Sequence, residues 1–202
     1  FGTKERPGAN ENDEFIPVTA HGVKLLSMGL LINESDPVAV RGPLATRYVQ
    51  QFLRNVAWGD VDFLILDLPP GTGDIQLTIV QTAELDGVGV VTTPQEVALI
   101  DARKAIGLFE RVETPILGII ENMSYFQCPS DGKIYHIFGE GGGEREAAKL
   151  GVPLLGKIPL DISTRFGGDE GRPVALEDPG QNPVSAAFRQ VAEQCARVVL
   201  DR

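Results

Sequence analysis

Asp67 closes an apolar run and opens a turn of prolines and glycines, in the segment Phe63-Leu-Ile-Leu-Asp-Leu-Pro-Pro-Gly-Thr-Gly-Asp74. The run reads as a buried strand over residues 63–68 that leaves an α/β sheet at its carboxyl end. Open sheets of that class bind ligands in the crevice beyond such strand ends. A single carboxylate there suits Mg²⁺, which takes one or two carboxylates together with waters and substrate phosphates. A plain turn after a core strand accounts for the same residues, because Asp, Pro and Gly favour turns in any loop.

Three further apolar runs end in polar residues. Thr92-Thr93-Pro94-Gln95 follows residues 88–91, Glu121-Asn122-Met123-Ser124 follows 116–120, and Pro159-Leu160-Asp161 follows 154–158. In a parallel sheet all three ends emerge on one edge. The Asn122 amide carries both a donor and an acceptor, which suits reading a purine edge. An Asn that ends a strand by bonding its own backbone is the alternative. Cys128 and Cys195 stand far apart in dissimilar contexts, which speaks against a disulfide and for reduced thiols.

The elements that must position these residues follow from the alternation of short apolar runs with amphipathic stretches. That pattern is the mark of βα units and predicts an α/β fold with a mostly parallel sheet flanked by helices. Strands are expected at 23–32, 63–68, 88–93, 116–122 and 154–158, and helices at 43–56, 73–83, 96–112, 143–150 and 183–200. The middle three strands are continuously apolar, as in strands covered on both faces. The last helix carries Val184, Phe188, Val191, Cys195 and Val198 at helical spacing, which puts Cys195 in the core. Arg103 and Lys104 fall on the charged, solvated face of the 96–112 helix. Residues 167–183 read as a surface connection.

At 202 residues the chain fits one domain over 1–202, able to bury roughly 70% of its unfolded surface. A net charge of −10, from 28 acidic and 18 basic residues, argues against a broad grip on nucleic acid, which needs clustered Lys and Arg. No apolar stretch approaches the ~18 residues of a membrane span, and residues 2–13 have no signal-peptide pattern, so the expected location is the cytoplasm.

Taken together, Asp67-Leu-Pro-Pro-Gly-Thr-Gly-Asp74, Arg41-Gly-Pro43, Thr93-Pro-Gln95, Glu121-Asn-Met-Ser-Tyr125, Ile137-Phe-Gly-Glu-Gly-Gly142 and Ile158-Pro-Leu-Asp161 closely resemble the Mrp family of iron–sulfur cluster carrier ATPases. The family belongs to the deviant-Walker P-loop class, with the nitrogenase iron protein and the Min- and Par-type ATPases. The resemblance implies a three-layer P-loop NTPase-like fold, a homodimer, ATP and Mg²⁺ as cofactors, and delivery or assembly of iron–sulfur clusters for client apoproteins. It casts Asp67 as the aspartate that holds the magnesium shell, Gly71 as part of the turn that senses the γ-phosphate, and Asp74 as a residue that positions this turn. Asn122 matches the base-reading asparagine, and Pro159, Leu160 and Asp161 match the segment beside the adenine. Arg41 would contact phosphate or the dimer partner, an ordinary salt bridge being the alternative.

Two departures stand against these agreements. A P-loop needs Gly-x-x-x-x-Gly-Lys-Ser/Thr, so that backbone N–H groups cradle the phosphates and the Lys reaches them. Neither Gly139-Glu-Gly-Gly-Gly143 nor Gly156-Lys157 supplies it. In the family that loop precedes the position of Phe1, so the resemblance implies a chain shortened at its N-terminus, poor ATP binding and a 63–68 strand without its neighbour. Secondly, the family motif Cys-Pro-x-Cys, which lets a dimer offer four thiolates to one cluster, here reads Cys128-Pro-Ser-Asp131. Asp131 is a hard oxygen donor, poorly matched to cluster iron, which leaves a labile cluster or a zinc ion, with His136 as a further zinc ligand, as alternatives to a stable cluster. A partition-type regulatory ATPase and a non-hydrolysing interaction module are the rival functions.

Overall fold

The computed structural model describes residues 1–32, 42–69, 71 and 73–201. Arg41, Pro70 and Thr72 lie outside the described residues. Two compact units follow one another along the chain, Phe1–Glu84 and Leu85–Arg202.

The first unit contains two small antiparallel hairpins, β1 (Gly8–Ala9) with β2 (Phe15–Ile16) and β3 (Val18–Ala20) with β4 (Val23–Leu25), and the helices α1 (Met28–Leu31), α2 (Gly42–Arg54) and α3 (Asp74–Thr82). The strand expected over 23–32 is therefore only three residues long. Ser27 caps the new helix α1 by accepting from the Gly29 N–H, and Gly22, at φ +78°, makes the tight turn before β4. The strand expected over 63–68 does not form. Phe63 and Leu64 are about half exposed and Ile65 is 87% exposed. An apolar run becomes a strand only with a partner for its N–H and C=O groups, and no described segment pairs with it.

The second unit is a three-layer α/β sandwich. β5 (Val88–Thr92), β6 (Ile116–Glu121) and β9 (Leu154–Lys157) form a parallel sheet in the order β5-β6-β9. Helices α4 (Glu96–Arg111) and α5 (Gly142–Leu150) cover one face, where Val90, Ala102, Ile106, Ile119 and Ala147 make the core. Helix α7 (Pro183–Leu200) lies on the other face over β6 and β9, so closely that a Cβ on Gly156 would lie 2.5 Å from Val191. Its first turn is set by Asn182, whose Oδ1 accepts from the Val184 and Ser185 N–H groups, with Pro183 at the first helical position.

Between β6 and β9 the chain makes the hairpin β7 (Phe126–Gln127) and β8 (Ile134–Tyr135). After β9 comes α6 (Ile162–Glu170), then a 3₁₀ turn at Val174–Leu176. The expected surface connection over 167–183 thus begins inside a helix. Gly171, at φ +69°, ends that helix in the left-handed conformation that glycine adopts without strain. No helix among the described residues is long and apolar enough to cross a membrane.

Candidate functional site

The polar ends of the sheet are knitted together in the second unit. The Asn122 N–H donates to the Thr92 carbonyl at 2.7 Å, joining the ends of β6 and β5. On the other side the Ile158 N–H donates to the Glu121 carbonyl at 2.9 Å, the Ser124 N–H to the Ile158 carbonyl at 3.0 Å, and the Leu160 N–H to the Tyr125 carbonyl at 2.7 Å. Asn122, Pro159 and Leu160 therefore stand on adjoining segments, as parallel strands require. Asn122 is half-buried and its Oδ1 accepts from the Met123 N–H at 2.9 Å. Its amide nitrogen has no partner among the described residues. The own-backbone bond is present, and it leaves the amide donor open toward solvent or a ligand.

Asp161 has other work. Its Oδ2 accepts from the Ser163 hydroxyl, the Thr164 N–H at 2.8 Å and the Thr164 hydroxyl at 3.1 Å, which caps α6. Burial pushes this carboxyl up, but the Ser163 and Thr164 donors together hold it below the usual carboxylate range.

The glycine run at 139–143 is packing. A Cβ on Gly142 would sit 2.3 Å from the Pro94 carbonyl oxygen, and one on Gly143 3.0 Å from Glu121. Glycine here lets the start of α5 lie directly on the ends of β5 and β6. Glu121 is fully buried and accepts from the Gly143 N–H at 2.5 Å and from the Ser124 hydroxyl. Sequence reasoning passed it over, although an acidic residue at the end of a wholly apolar parallel strand was the available signal.

Cys128 lies on the turn of the β7–β8 hairpin. The Cys128 N–H donates to the Lys133 carbonyl and the Gly132 N–H to the Cys128 carbonyl, both at 2.8 Å. This brings residues 128 to 132 into one tight turn. The thiol is 3.1 Å from the Ser130 hydroxyl. Its pKa is lowered, chiefly by that hydroxyl and then by the backbone N–H groups of Ser130 and Asp131, while the Asp131 carboxyl acts the other way. Asp131 accepts from the Lys133 N–H at 3.0 Å, the main cause that holds its carboxyl below the usual range. His136 faces Glu140 at 3.6 Å and does not join Cys128. Among the described residues no group of three or more His, Cys, Asp or Glu is placed to hold a metal ion. Cys195 is half-buried on α7, and burial raises its thiol.

Asp67, Gly71 and Asp74 belong to the first unit. Asp67 is exposed, and its carboxylate has no partner among the described residues. Gly71 has φ +102° with open space where a Cβ would lie. The loop is tied to α3 by the buried Gln76, whose Nε2 donates to the Pro69 carbonyl at 2.6 Å. Asp74 is the first residue of that helix.

A family model described as the ParA-type NUBPL iron-transfer P-loop NTPase matches residues 1–196. The chain belongs to this family. Relatives of the NUBPL-type chain include the iron–sulfur protein required for NADH dehydrogenase, mitochondrial, of Arabidopsis thaliana, 45% identical over 96% of this chain and 61% of that protein. The iron–sulfur cluster carrier protein of Aquifex aeolicus is 44% identical over 98% of this chain and 55% of its own length. The chain thus spans little more than half of these relatives. Among solved structures, a nucleotide-binding protein of Archaeoglobus fulgidus in complex with ADP aligns with a TM-score of 0.70 at 36% identity, covering 83% of this chain and 65% of that one. The Pyrococcus furiosus cell division ATPase MinD aligns at 0.55 and 25% identity, over 76% and 59%. The P-loop NTPase fold of the NUBPL-type chain is that of these neighbours.

Proposed function

We propose that the chain belongs to an ATP-dependent iron–sulfur cluster carrier or assembly factor of the Mrp kind, a cytoplasmic homodimer that hands clusters to client apoproteins. The observation that carries the reading is the continuity of two segments. The loop that presents Asn122 runs directly, through Tyr125 and Phe126, into the hairpin that presents Cys128, and Leu160 is bonded to that passage.

In this reading Asn122 recognises the adenine edge, with its unengaged amide N–H groups donating and its Oδ1 keeping a second lone pair to accept. The backbone of Pro159 and Leu160 walls the base, while the Asp161 carboxylate keeps the wall in place by capping α6. Asp67, whose carboxylate has no partner among the described residues, fits the water shell of Mg²⁺, and the open space at Gly71 allows the backbone to approach a phosphate closely. Mg²⁺ held there would supply neutralisation of the phosphate charge for in-line attack by water. Asp74, at the head of α3, holds the other end of the loop. At the hairpin Cys128 donates a thiolate to the cluster, which is cargo, and a second chain supplies a second thiolate. With two thiolates and two Asp131 carboxylates the site suits a labile cluster or zinc better than a tightly held cluster.

Asp131 standing at the second cysteine position also favours a second reading, a regulatory ATPase of the same fold that carries no cluster. Anaerobic reconstitution with iron and sulfide separates the two. Uptake of iron that disappears in Cys128→Ala supports the carrier; equal iron content in both proteins, or none in either, selects the regulatory ATPase.

A further inference from the structure

We infer that Glu121 is the positioning residue of the base-reading loop, a buried carboxylate that clasps residues 122–124 into the one conformation in which the Asn122 amide can discriminate adenine. The inference rests on the proposed role of Asn122.

Glu121 has no exposed surface, and a carboxylate so placed is tolerated only where donors replace its lost hydration. Two donors do so. The Ser124 hydroxyl closes a ring across the intervening Asn122 and Met123, and the Gly143 N–H ties the ring to α5. The backbone repeats the grip, with the Asn122 N–H on Thr92 and the Ser124 N–H on Ile158. Inside this ring Met123 sits at φ +52°, a left-handed conformation that disfavours residues with a Cβ. Such strain persists where the surroundings over-determine it, and it gathers at ligand-binding sites. The Met123 N–H in turn donates to Asn122 Oδ1 and fixes the plane of the amide. Opening the clasp lets Met123 relax to negative φ, and the amide plane turns with it. Glu121 touches no ligand; it acts through the geometry of its neighbour.

The test is binding of ADP and GDP, each followed by NMR titration, for the chain and for Ser124→Ala, Glu121→Ala and Glu121→Gln, with thermal unfolding measured alongside. The parent chain prefers ADP. Ser124→Ala and Glu121→Ala reduce that preference about tenfold, equivalent to ~1.4 kcal/mol. Glu121→Gln restores it, because the amide oxygen accepts from Gly143 and the amide nitrogen donates to the Ser124 oxygen. Should Glu121→Ala fail to fold, Ser124→Ala, which removes one hydroxyl, carries the test. Equal weakening of both nucleotides with an unchanged ratio would reduce Glu121 to a structural residue and overturn the inference while leaving Asn122 as base reader. A parent chain that binds both nucleotides alike overturns the role of Asn122 and this inference with it.

Discussion

Arg103 on α4 grips Glu146 on α5 with two parallel bonds, Nε to Oε1 at 2.7 Å and Nη2 to Oε2 at 2.8 Å. Its third nitrogen reaches Glu96 at 2.9 Å. Arg103 was expected on a solvated helix face, but its side chain is only about one-third exposed and that of Glu146 is buried. Breaking one side of such a pair leaves an uncompensated charge, whereas replacing both partners by apolar groups does not. Arg103→Ala should therefore lower the unfolding midpoint by roughly 5 °C, and the double replacement Arg103→Met with Glu146→Leu should recover most of the loss. A double variant at least as unstable as the single one refutes this account.

The same pair fixes a pH dependence. The hydrogen bonds from Arg103 hold the Glu146 carboxyl below the usual glutamate range, against the effect of burial. A carboxyl whose pKa is lower in the folded chain adds stability at pH above the unfolded value, about 4.3, and this stability fades as pH falls through the folded value. Thermal melts from pH 7 down to 3 should show a shallower acid limb for Glu146→Gln than for the parent chain. Parallel limbs would mean that other carboxylates set the acid sensitivity.

Gly142 and Gly168 make a paired test of why glycines stand where they do. At Gly142 a Cβ would meet the Pro94 carbonyl oxygen at 2.3 Å, and backbone cannot step aside. Gly142→Ala should cost ~1–3 kcal/mol, the usual range for overpacking. At Gly168, inside α6, a Cβ would meet nothing within 4 Å, so Gly168→Ala should stabilise by ~0.5–1 kcal/mol. Chemical denaturation of the two variants decides it, and equal effects would show that the close packing of α5 on Pro94 is misplaced.

How far the sequence disclosed this architecture depends on where each element finds its partners. The strands 88–93, 116–122 and 154–158 were legible to within a residue because each is a short, mainly apolar run whose inward residues, such as Val90, Ile119 and Leu155, are buried in the core. The helix 183–200 was legible to the residue because its apolar residues recur at helical spacing, and the Asn182 cap with Pro183 at the first position fixes where it starts. Residues 63–68 carry the same apolar signal and form no strand, since composition reports the wish to be buried and not the presence of a hydrogen-bonding neighbour. Helix α6 was missed because two glycines, Gly167 and Gly168, stand inside it, and the capping pattern at Asp161 to Thr164 outweighs them. Among the candidate site residues, Asn122 and Cys128 could be singled out from residue type and motif alone. Glu121 could be suspected as an acidic residue ending an apolar strand, but its bond to Gly143 could not be read, nor could the Arg103–Glu146 pair, because these partners lie 22 and 43 residues apart.

The Cys128 thiol should be more readily ionised than an ordinary cysteine, because the Ser130 hydroxyl and the turn's N–H groups favour the thiolate. Thiolate is the nucleophile in alkylation. The pH profile of iodoacetamide reaction at Cys128 should move upward in Ser130→Ala. In Asp131→Asn it should move downward, since the Asp131 carboxyl opposes ionisation. Mass spectrometry distinguishes this site from Cys195, whose half-buried thiol reacts at higher pH. Profiles that coincide for all three proteins would contradict the hydrogen bond to Ser130.

Asp131→Cys should convert a weak cluster site into a strong one. The Gly132 N–H bonded to the Cys128 carbonyl folds residues 128–132 into a single turn, so residue 131 already stands beside the Cys128 thiol. A second thiol there replaces a hard oxygen with the soft donor that cluster iron prefers, and two chains then offer the four thiolates of ordinary cluster ligation. The change removes the Asp131 bond to the Lys133 N–H, a loss of about 1 kcal/mol at an exposed turn, which the fold can bear. After anaerobic reconstitution Asp131→Cys should hold several-fold more iron and sulfide than the parent chain and should sediment as a dimer when loaded. Asp131→Ala, which frees the turn without adding sulfur, should show neither gain. Should Asp131→Cys bind no more iron than Asp131→Ala, the hairpin is not where a cluster is carried.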